Sequence, residues 1–255
     1  MVPMLKHKLF RVLFIVVLFI LFFSGAFITM EYRARSLAKD ANDSRSYYFI
    51  IGGKDTIYKM DSITNEIVNE IKVEGSPQDI KVSADGNTLL VVVLNAKDED
   101  DKGYILFYNI KDNKLIRKVQ VGKHPYRVVF TPNKKYIMVS NTESNDISLI
   151  DSKNYTILQS IEVGREPQGF CMSKDSKYCY VANTGEDTVS ILDMTIFKSI
   201  KKIRVGRYPT DISINKDNGN VMVTLSKEKS VALINPRTED IQKVSLNNSP
   251  TGICN

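Results

Sequence analysis

Three cations recur at one place in a repeated motif: Lys123 in "VGKHPYRV", Arg165 in "VGREPQGF" and Arg207 in "VGRYPTDI". Each follows a glycine and stands two residues before a proline, and successive cations are 42 residues apart. Like charges that converge at one end of a folded domain focus a field that can hold an anion or an acidic peptide. His124, Tyr126 and Tyr208, beside these cations, complete the candidate binding set. The competing expectation is structural. Glu143, Asp146, Glu186, Asp187 and Glu228 lie in loops expected nearby, and would pair with the cations as surface ion pairs of little energetic value.

Other chemistry is sparse, and no catalytic residue is expected. Beyond His7 near the N-terminus, His124 is the one histidine. It occupies a turn where Glu166 and Tyr208 stand in equivalent places, which reads as a tolerant surface position. The three cysteines, Cys171, Cys179 and Cys254, form no CxxC or CxxCH pattern, which excludes zinc ribbons, thioredoxin-like motifs and attached c-type haem. Cys171 and Cys179 flank "MSKDSKY", a hairpin, so a cross-strand disulfide and two reduced core thiols are both open; the second is the simpler expectation. Tryptophan is absent, and "GGKD" at 52–55 is too short for a phosphate-binding loop. Asp98, Glu99, Asp100 and Asp101 in "NAKDEDDKG" offer oxygen ligands for Ca²⁺, but lack the spacing and glycine of an EF-hand; a solvated acidic loop is the plainer reading. No cofactor and no resident metal are expected.

The elements that position the cations come from the same repeat. Pro77, Pro125, Pro167, Pro209 and Pro250 are spaced by 48, 42, 42 and 41 residues, a period that signals a repeat architecture. Within one unit "QGFCMS", "YCYVAN", "TVSILD" and "KSIKKIRV" alternate or run rich in β-formers between turns, giving four short strands. The third strand ends on Asp61, Asn109, Asp151, Asp193 or Asn235. These residues are assigned to starting turns by bonding their own backbone two residues on. Four antiparallel strands every ~42 residues make one blade of a β-propeller. The repeated Gly–x–x–Pro is then the crossing from the outer strand of one blade to the inner strand of the next. Its glycine permits positive φ and its proline fixes φ where the inner strand begins.

"YVANTGEDTVSILDMT", with "VGREP" before and "VGRYP" after, resembles the YVTN repeat family of propellers across residues 47–255. The resemblance implies the fold and says little of function, because propellers serve many roles. Residues 47–74 supply three strands and 250–255 an inner strand. Together they predict an all-β propeller of five four-stranded antiparallel blades, closed by strands from both termini; because the resembled family usually has seven blades, an open arc of a truncated seven-bladed chain is the alternative.

Residues 12–30 carry no charge and follow Lys6, Lys8 and Arg11 in a basic flank, 1–11. They are long enough for one transmembrane helix; the alternative is a signal segment, cleaved to release a secreted protein. Residues 31–46 read as a polar stalk. The formal charge of +6 resides mainly in residues 1–46, which hold seven Lys/Arg against three acids. The folded part therefore has no basic face for nucleic acid. The expectation is a single-pass cell-membrane protein with its propeller extracytoplasmic. It would bind a protein or an anionic ligand on its loop face. A lactonase-like propeller enzyme and a structural cell-surface component are the alternatives.

Overall fold

The computed structural model describes residues 34–39, 46–95, 102–215 and 217–253. The basic flank, the apolar run at 12–30, the acidic residues 98–101 and Cys254 lie outside them. Twenty strands form five four-stranded antiparallel sheets. The first holds β1 (Ala34–Lys39), β2 (Ser46–Ile51), β3 (Thr56–Asp61) and β4 (Ile67–Lys72); the second β5 (Ser76–Val82), β6 (Thr88–Leu94), β7 (Lys102–Asn109) and β8 (Leu115–Lys123). The third holds β9 (Pro125–Phe130), β10 (Tyr136–Asn141), β11 (Asp146–Asp151) and β12 (Ile157–Glu162). The fourth holds β13 (Pro167–Met172), β14 (Tyr178–Asn183), β15 (Thr188–Asp193) and β16 (Lys198–Arg204); the fifth β17 (Pro209–Ile214), β18 (Val221–Leu225), β19 (Ser230–Ile234) and β20 (Ile241–Ser245). In every sheet the strands lie in chain order. The molecule is all-β, and its sheets are consistent with a propeller.

Burial explains the stacking. β6, β10 and β14 bury nearly every residue, because alternate side chains serve opposite faces and each face meets another sheet. Ile50 and Tyr48 pack with Leu89 and Val91 between the first two sheets. Leu90 and Phe107 pack with Val128 and Ile137 between the second and third. Met138 and Ile147 meet Phe170 and Val181 next, and Tyr180 and Val189 meet Val221 and Val223 last. The outer strands β4, β8, β12, β16 and β20 are largely exposed. The five residues assigned to the turns after the third strands accept the expected bond from the N–H two residues on: Asp61 from Ile63, Asn109 from Lys111, Asp151 from Lys153, Asp193 from Thr195 and Asn235 from Arg237, at 2.7–2.9 Å.

The two ends differ from expectation. The first sheet takes its inner strand from residues 34–39, inside the segment read as a stalk, and not from 250–255. Without a neighbour on its inner side, β2 would leave an edge of unpaired main-chain groups. The chain just upstream fills it across a short connection, which costs far less closure entropy than recruiting a segment some two hundred residues away. Charged residues in "ARSLAK" hid this strand from a pattern reading, since main-chain pairing is indifferent to side-chain alternation. At the other end Ile253 N donates to Asp211 Oδ2 at 3.1 Å, as Val128 N donates to Asp79 Oδ2 at 2.9 Å three repeats earlier. The segment from Pro250 thus follows β17 as the inner strand of a further unit would. The inner strands adjoin in order, β1 by β5, β5 by β9, β9 by β13 and β13 by β17. Among the described residues no comparable packing joins the fifth sheet to the first. Accordingly Val231 and Leu233 of β19 stay partly exposed, where β11 and β15 bury four residues in succession.

Cys171 lies opposite Tyr180 and Met172 opposite Cys179, so the two thiols point to opposite faces and are free. Burial, and secondarily the charge of Asp211, push the Cys171 thiol well up; burial does the same to Cys179. At about pH 8, near the ordinary thiol pKa of about 8.5, iodoacetamide should leave both unmodified in the native protein and label both in denaturant, read by peptide mass mapping. Native labelling of either would contradict this placement.

Candidate functional site

The crossing between the third and fourth sheets is held by a buried asparagine at the end of the fourth sheet's second strand. Asn183, fully buried, accepts from Gly164 N at 3.1 Å and donates to Ser190 Oγ at 2.8 Å and Thr188 Oγ1 at 2.9 Å. Asn141, the equivalent residue one sheet earlier, donates to Ser148 Oγ at 2.9 Å. A Cβ on Gly164 would sit 2.5 Å from Asn183 Cγ, and one on Gly122 2.7 Å from Asn141 Cγ. The turn glycines at 122 and 164 are therefore required for close approach, not for the positive φ expected of them. Gly206 does take the expected positive φ (136°), and positive φ also falls on the residue before proline in all three repeats: His124 (51°), Glu166 (52°) and Tyr208 (60°). Such a conformation is uncommon outside glycine. It is fixed here by main-chain bonds from Thr142 N to His124 O, Thr184 N to Glu166 O and Ser226 N to Tyr208 O, at 3.0–3.2 Å.

The loops between second and third strands clamp the crossing from both sides. Asn145 Oδ1 accepts from Glu166 N and Asp187 Oδ1 from Tyr208 N, each at 2.9 Å. From the following sheet Ser144 Oγ accepts from Lys123 N, Glu186 Oε2 from Arg165 N and Glu228 Oε1 from Arg207 N, at 2.8–3.0 Å. The acids therefore hold the main chain of the cationic residues and not their side chains. Their ion pairs go to lysines of the outer strands, Glu186 to Lys202 at 3.2 Å and Glu228 to Lys243 at 2.7 Å. The side chains of Lys123, Arg165 and Arg207 are exposed, and among the described residues none lies within ion-pair distance of a carboxylate.

Two clefts open beside these crossings. One, of about 490 Å³, gathers His124, Tyr126 and Arg165 with Glu143, Glu166 and Gln168. The other, of about 510 Å³, places Arg207 with Arg204, Lys243, Asp187 and Glu228. Tyr208 lies under Lys227, whose Nζ is 3.9 Å from the ring centroid, and Lys123 lines neither cleft. The six expected residues thus share one end of the sheets but divide among separate places. His124 Nδ1 is 3.1 Å from Thr142 Oγ1. Among the described residues no three metal-ligating groups cluster.

Sequence reasoning missed an axial set. The second residue after each repeat proline is Asp79, Arg127, Gly169, Asp211 or Gly252. Arg127 of the third sheet reaches past the fourth to pair with Asp211 of the fifth. It can do so because Gly169 carries no side chain: a Cβ there would meet Asp211 Oδ1 at 2.8 Å. Asp211 also accepts from Ile212 N at 2.9 Å. Burial alone would lower the Arg127 pKa; the charges of Asp211 and Asp79 more than offset it and raise the value. The pair braces three sheets. The signal was a charged column in otherwise apolar strands.

A model of the choice-of-anchor I domain matches residues 37–146, under half of the chain. No curated protein matches. Among solved structures the chain is similar to hydrazine synthase of Kuenenia stuttgartiensis, with TM-score 0.71 and 18% identity over 89% of this chain and 71% of that one. It is also similar to a functionally unknown protein from Desulfotomaculum acetoxidans DSM 771, with TM-score 0.68 and 16% identity over 86% and 71%. At these identities the likeness concerns the fold alone.

Two measurements check the site's construction. The Arg127 side chain is 32% exposed and that of Asp211 8%, so breaking the pair should cost less than a fully buried one, about 1–3 kcal/mol for Arg127→Met in urea denaturation. Combined with Asp211→Asn, the losses should fall short of additive, a coupling of at least about 0.5 kcal/mol; strict additivity would mean the pair is not energetically joined. The bond from Lys243, then that from Arg207 N, holds the Glu228 carboxyl below its ordinary 4.5. A depressed folded pKa contributes stability that is complete above that ordinary value and lost as pH falls through the folded one. Glu228→Gln should therefore lower stability at neutral pH, with the difference from wild type vanishing in acid.

Proposed function

We propose that the chain is a membrane-anchored, extracytoplasmic β-propeller of the YVTN-repeat kind that works as a binding module, taking a protein or anionic ligand on the crossover face. One observation carries the reading: Lys123, Arg165 and Arg207 are exposed and, among the described residues, have no carboxylate within ion-pair distance, while their main-chain N–H groups are held by the neighbouring loops. Rigid positioning of unpaired like charges lowers the ordering cost of capturing an anion. The charge-free run at 12–30 supports the anchor.

The test replaces all three with serine. Exposed loop charges alter stability by about 0.5 kcal/mol or less each, so folding should be preserved. Binding of a fluorescent polyglutamate peptide should weaken at least tenfold at low salt. The difference should shrink in about 1 M salt, where the Debye length is about 3 Å. Lys153→Ser, in the β11–β12 turn at the opposite end, should change nothing. Equal affinity of the triple variant and wild type at low salt would remove the site.

A further inference from the structure

We infer that the cleft between the third and fourth sheets is a site for a free amino acid with a cationic side chain, its carboxylate taken by Arg165 and its two cationic groups by Glu143 and Glu166. The inference stands apart from the three-cation reading above, of which it uses Arg165 alone, and it needs no anchor. The cleft, of about 490 Å³, is of a size for a small molecule. Arg165, Glu143 and Glu166 all line it and are exposed. Among the described residues none of these three side chains forms an ion pair or a hydrogen bond. Opposite charges that share a cleft and stay apart leave a gap, which one ligand bearing both signs can bridge. Their main chain is fixed in advance: Glu166 N donates to Asn145 Oδ1 and Arg165 N to Glu186 Oε2, while Glu166 O accepts from Thr184 N and Arg165 O from Gly185 N, at 2.9–3.1 Å. A backbone already ordered lowers the cost of capture.

The repeat does not impose this set. At the next junction the places of Glu143 and Glu166 are taken by Gly185 and Tyr208. The carboxylates beside Arg207 are already spent, Glu228 on Lys243 at 2.7 Å and Asp187 on Tyr208 N at 2.9 Å. Gly185 also makes room for its neighbour: a Cβ there would lie 2.8 Å from Glu166 Cδ, so the missing side chain gives the Glu166 carboxylate its place. Charge then selects the ligand class. A guanidinium takes a carboxylate through two parallel bonds, and each glutamate accepts charge-assisted bonds from an ammonium or a guanidinium. Tyr126 lines the same cleft and offers its ring to a cation. His124 lines it too, its Nδ1 occupied 3.1 Å from Thr142 Oγ1. An acidic amino acid would set a second anion against the two glutamates. A polyamine would leave Arg165 facing a cation.

The experiment titrates the full chain in mild detergent with L-arginine by calorimetry, and repeats it with agmatine, which lacks the carboxylate, and with citrulline, which lacks the side-chain charge. Arginine should bind saturably with a Kd below about 1 mM. Agmatine and citrulline should each bind at least about tenfold more weakly, the loss of one charge-assisted contact. Arg165→Gln should weaken arginine by a similar factor and leave agmatine unchanged, because agmatine has nothing for that residue to hold. Glu143→Gln and Glu166→Gln should each weaken arginine, with unchanged thermal midpoints showing that folding is intact. Absence of saturable binding, equal affinity for arginine and agmatine, or indifference to any of the three exchanges would overturn the inference. The double exchange Lys123→Ser with Arg207→Ser separates the two readings: it should lower polyglutamate affinity and leave arginine affinity at the wild-type value. Polyglutamate binding that survives it, with arginine binding still dependent on Arg165, would defeat the three-cation reading and leave the cleft standing. A chain that binds polyglutamate as expected and no arginine would defeat only the cleft.

Discussion

The structure depends on one constraint: a sheet whose central strands are apolar on both faces must be covered on both. β6, β10 and β14 read as nearly unbroken apolar runs. None can stand with one face in water, so each sheet stacks on the next and every connection is pushed to one end or the other. That arrangement separates the burial of side chains, which takes place between sheets, from the placement of loops, which takes place at their ends. Variation in the loops then leaves the core untouched, and a repeated turn becomes a repeated position in space.

Polar chemistry is confined to two places where the stacking leaves room. At the crossings, a buried asparagine and loop acids secure main-chain N–H groups that no strand can satisfy. The acids serve the backbone first and outer-strand lysines second, which leaves the cationic side chains facing solvent. Along the inner strands, Arg127 and Asp211 neutralise each other across the gap that Gly169 provides. A charge in so confined a place persists only with a partner, because an isolated one loses its hydration without compensation. The first place presents charge outward and the second consumes it, so exposed charge belongs to the loops and cohesion to the inner strands.

Much was legible in the sequence. Asp61, Asn109, Asp151, Asp193 and Asn235 each do what an Asx residue after a strand does locally, and a bond spanning two residues needs no tertiary information. The turn glycines were identified in the right places; positive φ is the reason at Gly206, and close approach is the reason at Gly122 and Gly164. Whether a glycine serves conformation or close approach depends on what lies opposite, and the opposite residues, Asn141 and Asn183, are 19 positions away in the chain. The acids were placed near the cations correctly, yet their partners turned out to be N–H groups and other lysines, since competition among donors is decided by distance.

By itself the sequence determined the repeat, the four strands of each unit, the turns between them and the end of the sheets at which the cations gather. These follow from local alternation and from a period that survives substitution. Tertiary structure alone decided that Ala34–Lys39 and not the C-terminal segment completes the first sheet, because an open strand edge accepts any nearby backbone regardless of side chains. It alone joined Arg127 to Asp211, 84 residues apart, because only stacking brings the third and fifth sheets within reach across a residue with no side chain.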